Sequence, residues 1–188
     1  MSGLRSGPFE VALLVAAAGG DVVRQPHLAH EYRQRGRFGA GAAYAWAGCP
    51  RPGGDSGLPG LTLRCLSAGP TVDPARLGGS PVLVNLWASW CMPCQQEMPA
   101  LQRACARYGR QERFVGVDTE DEPDSAKDFL AAVGVHYPQV IDDGGDLHHL
   151  GGTRIPATLI LNARGRVVFT HRGQRRERDL VASLASAR

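Results

Sequence analysis

The sequence predicts an α/β fold, a central mixed β-sheet flanked by helices on both faces. Three observations predict it. Val82 to Ala88 is an almost unbroken apolar, β-rich run, the pattern of a strand covered on both faces. A helical stripe follows at once, and strand and helix patterns then alternate to about residue 150. Two short strands joined at Arg164-Gly165, and a closing helix, complete the set.

In chain order, Leu61–Cys65 alternates in the manner of an edge strand. Asp73 to Leu77 predicts a short helical turn before Gly78-Gly79. After the 82–88 strand, a helix is expected from about Met92 to Tyr108. Met98, Leu101, Cys105 and Tyr108 make its apolar stripe, and Pro99, lacking a backbone donor, is expected to bend it. Phe114 to Val117 is the next strand. Asp124 is expected to cap a helix that buries Phe129, Leu130 and Val133 and stops at Gly134. Val140-Ile141 reads as a short strand, Asp146 to Leu150 as a short helix, and Thr158–Leu161 and Val167–Thr170 as a hairpin. The last helix starts near Glu177 and carries Leu180, Val181 and Leu184.

The domain is expected to span 57–188. Residues 1–56 read as a tail that ends in a Pro- and Gly-rich linker. Within the tail, Val11 to Ala18 is apolar but far short of the roughly 20 residues that cross a bilayer. It has the character of a degenerate signal-peptide core, with Arg5 as its only basic flank. A second run, from Phe38 to Cys49, follows Arg33, Arg35 and Arg37. Its Ala47-Gly48-Cys49 ending is similar to a lipoprotein lipobox. Signal, lipid anchor and plain tail all stay open. The net charge of +3 carries no electrostatic footprint for nucleic acid, and Lys127 is the only lysine.

The chain has five cysteines. Cys91 and Cys94, with two residues between them, stand at the start of the expected helix. There the unsatisfied backbone N–H groups and the positive end of the helix dipole stabilise a thiolate, the reactive form of cysteine. A second thiol one turn later can attack the first sulfur and close a reversible disulfide. This pattern points to thiol–disulfide exchange. Cys105 reads as an inert core thiol. Cys49 and Cys65 are either a structural disulfide or two free thiols, and the sequence leaves both open.

Val84-Asn85-Leu86-Trp87-Ala88-Ser89-Trp90-Cys91-Met92-Pro93-Cys94, with Glu97-Met98-Pro99-Ala100-Leu101 after it, resembles the signature of the thioredoxin-like superfamily. The nearest branch is the TlpA/ResA group of extracytoplasmic thiol–disulfide oxidoreductases. Gly152 to Asn162, with Ile155-Pro156-Ala157-Thr158, is similar to the family's cis-proline loop and following strand. Gly165-Arg166-Val167-Val168, with Gly173 beyond, is a third match. The resemblance covers about 57–185 and implies a thioredoxin-like fold. It implies Cys91 as nucleophile and Cys94 as resolving thiol, with Trp90, Ile155 and a cis Pro156 on the substrate-binding surface. Asn85, Trp87, Met92 and Pro93 would support them. It implies no metal and no cofactor beyond the Cys91–Cys94 disulfide. The implied partners are proteins with disulfides or thiols, together with a membrane thiol–disulfide electron donor. The implied setting is the cell envelope, with the cytoplasm as the alternative, and the implied direction is reductive, with a link to cytochrome c maturation.

The chain departs from the wider superfamily at several points. Cytosolic thioredoxin has a buried Asp where this chain has Asn85, so deprotonation of Cys94 must use water or another group. Met92-Pro93 replaces Gly-Pro. Cytochrome-maturation members often carry Glu beside the cis-proline, and 152–157 contains none. The alternative function is copper delivery on the same scaffold, with His136, His148, His149 and His171 as candidate ligands. Copper-delivery relatives, however, have three residues between their cysteines, where this chain has two. A Thr-x-x-Cys peroxidase context is absent at Cys91. His148-His149 and the acidic run Asp118 to Glu122 read as solvated loops, with Glu120 a candidate for tuning access to Cys91.

Overall fold

In the computed structural model, residues 47–111, 113–151 and 154–186 are described. The apolar run 11–18, the basic cluster 33–37, most of the run 38–49, and Gly152 and Thr153 lie outside them. Six strands form one mixed sheet: β1 (Arg64–Cys65), β2 (Val82–Trp87), β3 (Arg113–Thr119), β4 (Gln139–Asp142), β5 (Ala157–Leu161) and β6 (Val167–Arg172). Their order is β1-β4-β3-β2-β5-β6. β2, β3 and β4 are parallel, while β1, β5 and β6 run antiparallel to their neighbours. The helices are α1 (Met92–Tyr108), α2 (Pro123–Val133), α3 (Asp146–Gly151) and α4 (Glu177–Ser186). Among the described residues, no helix is long and apolar enough to cross a membrane.

β2 is buried along its whole length because both of its faces are covered. Leu83 and Trp87 face one core, shared with Met98 and Leu101 of α1, Leu130 of α2, and Leu180 and Leu184 of α4. Val82, Val84 and Leu86 face the other, shared with Leu63, Val72 and Leu77 before β2 and with Leu147 of α3. Strand alternation thus divides six consecutive residues between two cores. α1 runs from Met92 to Tyr108 with Pro99 inside it.

Several expectations need correction. The edge strand shrinks to Arg64–Cys65, because Leu63 pairs with Val72 instead. Asp124 does not cap α2: Glu122 is the N-cap and Pro123 takes the first turn, where its missing N–H costs nothing. The expected linker is bound to the domain. Ala47 donates to the His136 carbonyl, Gly53 to Arg76 and Ser56 to Ala75, and Gly54 and Gly78 exchange two hydrogen bonds. A Cβ at Gly53 would fall 2.2 Å from the Gly78 oxygen. These glycines therefore serve close backbone approach, which composition alone reads as flexibility. Of the two possibilities left open for Cys49 and Cys65, the disulfide is the one formed. Cys105 is a free, half-buried thiol, and burial pushes its pKa up to about 11.

Candidate active site

The site lies where β2 ends and β5 begins. The two strands are antiparallel neighbours, with Leu86 opposite Ala157, so the chain after Trp87 and the chain before Ala157 leave the sheet at the same end. The first carries Trp90, Cys91 and Cys94. The second carries Ile155 and Pro156, joined by a cis peptide bond.

Cys91 is the N-cap of α1, and its Sγ accepts the Cys94 backbone N–H at 3.3 Å. Met92 and Pro93 fill the first turn, whose N–H groups have no helical acceptor, so proline is tolerated there. Cys91 and Cys94 are joined as a disulfide. Cys94 is fully buried, while Cys91 keeps 5% of its surface. Around that sliver, Trp90 is 60% and Met92 50% exposed, an apolar apron unusual on a solvated surface. Ile155 is half-buried and packs against both cores, and Pro156 is buried. The Gly173 N–H donates to the Pro156 carbonyl at 2.7 Å, tying this loop to the end of β6.

Behind the disulfide, Asn85 is buried in β2. Its Nδ2 approaches the Met98 sulfur at 3.4 Å, and its Oδ1 accepts the Tyr137 hydroxyl at 3.1 Å. Trp87 donates its indole N–H to Gln139 Oε1 at 2.9 Å. Gln139 reaches it across β3 only because Gly116 has no side chain: a Cβ there would fall 1.7 Å from Gln139 Oε1. The loop before Cys91 is held by Asp121, which accepts both the Ser89 N–H and, at 2.9 Å, the Ser89 Oγ–H. Gln95 of α1 donates to the Ser89 carbonyl at 2.6 Å. Trp90 donates its indole N–H to the Glu120 carbonyl at 3.1 Å.

Two groups here were not singled out from the sequence. Glu97 is 1% exposed and lies one turn after Cys94 on the buried side of α1. Burial pushes its carboxyl up to about 7, against the opposing pull of the Arg175 N–H, which donates to Glu97 Oε1 at 2.9 Å. A charge on the same helix face as Cys94, Met98 and Leu101 was the available signal. The second lies within the acidic run, where the solvated reading holds for the exposed Glu120 and Glu122 and is corrected for Asp118, Thr119 and the half-buried Asp121. Asp118 and Thr119 are fully buried at the end of β3, and Asp121 is a structural acceptor. The alternation of β3 puts Asp118 on the Phe114 face, a signal the run of acids obscured.

Among the described residues, the histidines join no group of three or more side chains that could hold a metal ion. His148 is buried, at 3.3 Å from Glu120 and stacked on His149, so it too is no solvated loop residue. His136 is exposed, next to Tyr137, and His171 lies on β6 opposite Thr158.

The family model for Redoxin matches residues 53–186, more than half of the chain. The chain is 30% identical over 107 residues to the thiol-disulfide oxidoreductase ResA of Halalkalibacterium halodurans, covering 56% of this chain and 61% of the relative. It is 34% identical over 116 residues to the thiol:disulfide interchange protein HelX of Rhodobacter capsulatus, covering 58% and 62%. It thus spans less than two thirds of these relatives. A crystal structure of a secreted Mycobacterium tuberculosis disulfide oxidoreductase, homologous to E. coli DsbE, superposes with a TM-score of 0.61 at 23% identity. That match covers 67% of this chain and 95% of the other, and shares the thioredoxin-like fold. The chain belongs to the Redoxin family.

Proposed function

We propose that the chain is a protein thiol–disulfide oxidoreductase working through Cys91 and Cys94. The observation that carries this reading is the disulfide at the N-cap of α1, with Cys91 Sγ accepting a backbone N–H of the first turn. The names of ResA and HelX support it.

In the reduced form, the dipole and free N–H groups of α1 hold Cys91 as thiolate. The thiolate attacks one sulfur of a substrate disulfide. A Cys91–substrate bond forms, the substrate bond breaks, and the leaving sulfur departs as a thiolate that takes up a proton. Cys94, once deprotonated, attacks Cys91 Sγ. The Cys91–Cys94 bond closes and the second substrate thiolate leaves. The pair gives up two electrons and the substrate gains them; run backwards, the same steps oxidise a dithiol. Asn85 has no basic oxygen for the Cys94 proton. Glu97 has a carboxyl that titrates near neutrality one turn away, and we assign the acceptor role to it. Trp90 and Met92 form the docking apron, and the backbone at Ile155 pairs with a substrate segment as a short added strand.

The direction we propose is reductive, in the cell envelope, with a membrane thiol–disulfide donor restoring the dithiol. Cytochrome c maturation is the process proposed for it, with the disulfide of an apocytochrome haem-attachment segment as one substrate. Redox titration against glutathione tests the direction, and a potential near the oxidising end, about −120 mV, overturns it. For the activity, Cys91→Ala is expected to abolish insulin reduction, and Cys94→Ala to accumulate mixed disulfides visible by mass spectrometry. Full turnover by the Cys91→Ala protein defeats the reading.

A further inference from the structure

Asp118 is fully exposed to neither solvent nor a donor: it is 0% accessible, and among the described residues no N–H or O–H reaches either of its oxygens. It pairs in register with Trp87 on β2 and Ile141 on β4, so the packed sheet surrounds it. A bare carboxylate in such a place would carry the full cost of an unpaired buried charge. The carboxyl that acts on it is that of Asp121, three residues on, which raises its pKa both by charge and by side-chain hydrogen bonding.

Asp121 is the hydrogen-bonded carboxyl of the two. Its Oδ1 accepts Ser89 Oγ–H and the Glu122 N–H at 2.8 Å, and its Oδ2 accepts the Ser89 N–H. A carboxylate offers about four acceptor sites, so one remains. Two neighbouring carboxyls avoid double ionisation by sharing one proton, and Asp118, which has no donor, is the one placed to carry it.

We propose that Asp118 is a positioning residue for the active-site loop: a neutral carboxylic acid whose O–H fills the last acceptor site of Asp121, so that Asp121 holds Ser89, and through it Trp90 and Cys91, in place. This deepens the thiol–disulfide reading and rests on it for its consequence in catalysis.

The charged surroundings agree. Burial, then Asp121 and Asp143, push Asp118 up to about 9. Asp143 is paired with Arg64 at 2.7 Å, and Asp142, from the next register pair of β3 and β4, accepts the backbone N–H groups of Asp146, Leu147 and His148. The cations of this end are engaged elsewhere, Arg64 with Asp143 and Lys127 of α2 with Asp124, and the His148 ring of α3 lies against Glu120. Loss of the Asp118 proton would set two carboxylates against each other directly behind Ser89.

The test uses the full chain in its oxidised form, where neither Cys91 nor Cys94 can titrate. The Ser89 amide and Trp90 indole N–H signals are followed by NMR from about pH 6 to about pH 10.5, a range above the ordinary carboxyl pKa. The wild type is expected to show an alkaline step in the Ser89 signal. Asp118→Asn is expected to keep the neutral-pH position of that signal and lose the step, since the amide donates the same bond and does not ionise. Asp118→Ala is expected to displace the signal already at neutral pH. In insulin reduction, Asp118→Ala is expected to lose about tenfold in kcat/KM through misplacement of the loop, and Asp118→Asn to stay within about twofold. An alkaline step that survives in Asp118→Asn, or identical behaviour of the Asn and Ala variants, overturns the proposal. Failure of the Cys91→Ala prediction instead removes the thiol–disulfide reading and leaves the Ser89 titration to stand or fall by itself.

Discussion

The Cys91–Cys94 bond joins residues three apart, and the Cys49–Cys65 bond joins residues sixteen apart. The first sits on the N-cap of a seventeen-residue helix, with its nucleophile at the rim of an exposed Trp and Met apron. The second ties the segment before the domain to the edge strand β1, beside Ser67 and the loop that follows. No helix start stabilises a thiolate at Cys49 or Cys65. The bond chemistry is the same in both places. What separates a reactive pair from a clasp is the backbone that each sulfur caps and the number of residues that the closed loop removes from the unfolded ensemble.

The largest expected effect breaks the first bond: insulin reduction falls to background in Cys91→Ala and is retained in the Cys49→Ala/Cys65→Ala double variant. Stability reverses the ranking. Losing the Cys49–Cys65 clasp is expected to cost about 3 kcal/mol in denaturant unfolding, the loop-entropy value for a loop of this length. Losing the short Cys91–Cys94 ring costs less on the same basis.

Next come the buried carboxyls on the two sides of the reactive pair. Asp118 has its folded pKa raised to about 9 from an ordinary value near 3.8. A raised carboxyl contributes stability that is complete below the unfolded pKa and is lost as pH rises toward the folded one. Asp118→Asn is therefore expected to match the wild type in thermal unfolding near pH 4, and to exceed it increasingly up to about pH 9. Glu97, raised to about 7, follows the same sign over a narrower window, with Glu97→Gln gaining relative stability between about pH 4.5 and 7 and no further above it. The smallest effect is kinetic. Glu97→Gln is expected to slow closure of the Cys91–Cys94 bond from a mixed disulfide and to flatten its pH dependence around 7. The first attack by Cys91 on a small disulfide should change little. Stopped-flow lifetimes of the mixed disulfide measure both steps.

Much of this contrast was legible in one dimension. The 82–88 run, the stripe of α1, the hairpin turn at Gly165 with φ +74° and the Cys-x-x-Cys spacing are local patterns, and local geometry decides them. Asp118 and Asp121 were misread because solvation was inferred from charge density. Burial depends on which face of β3 a residue occupies and on what β2 and β4 lay over it. Glu97 was hidden in the same way, as one charge in an otherwise apolar helix face. The glycines at 53 and 54 were misread for a related reason: flexibility and close approach ask for the same residue, and only the partner backbone distinguishes them.

By itself, the sequence determined the order of the elements, the reactive pair and its place at a helix start, because all three rest on neighbours within a turn or two. The tertiary structure alone decided that Cys49 meets Cys65, that residues 47–56 pack on the domain, and that Asp118 is buried while Asp121 holds Ser89. Those contacts join residues brought together by the sheet order, and no periodicity along the chain encodes which distant side chain a buried group will face.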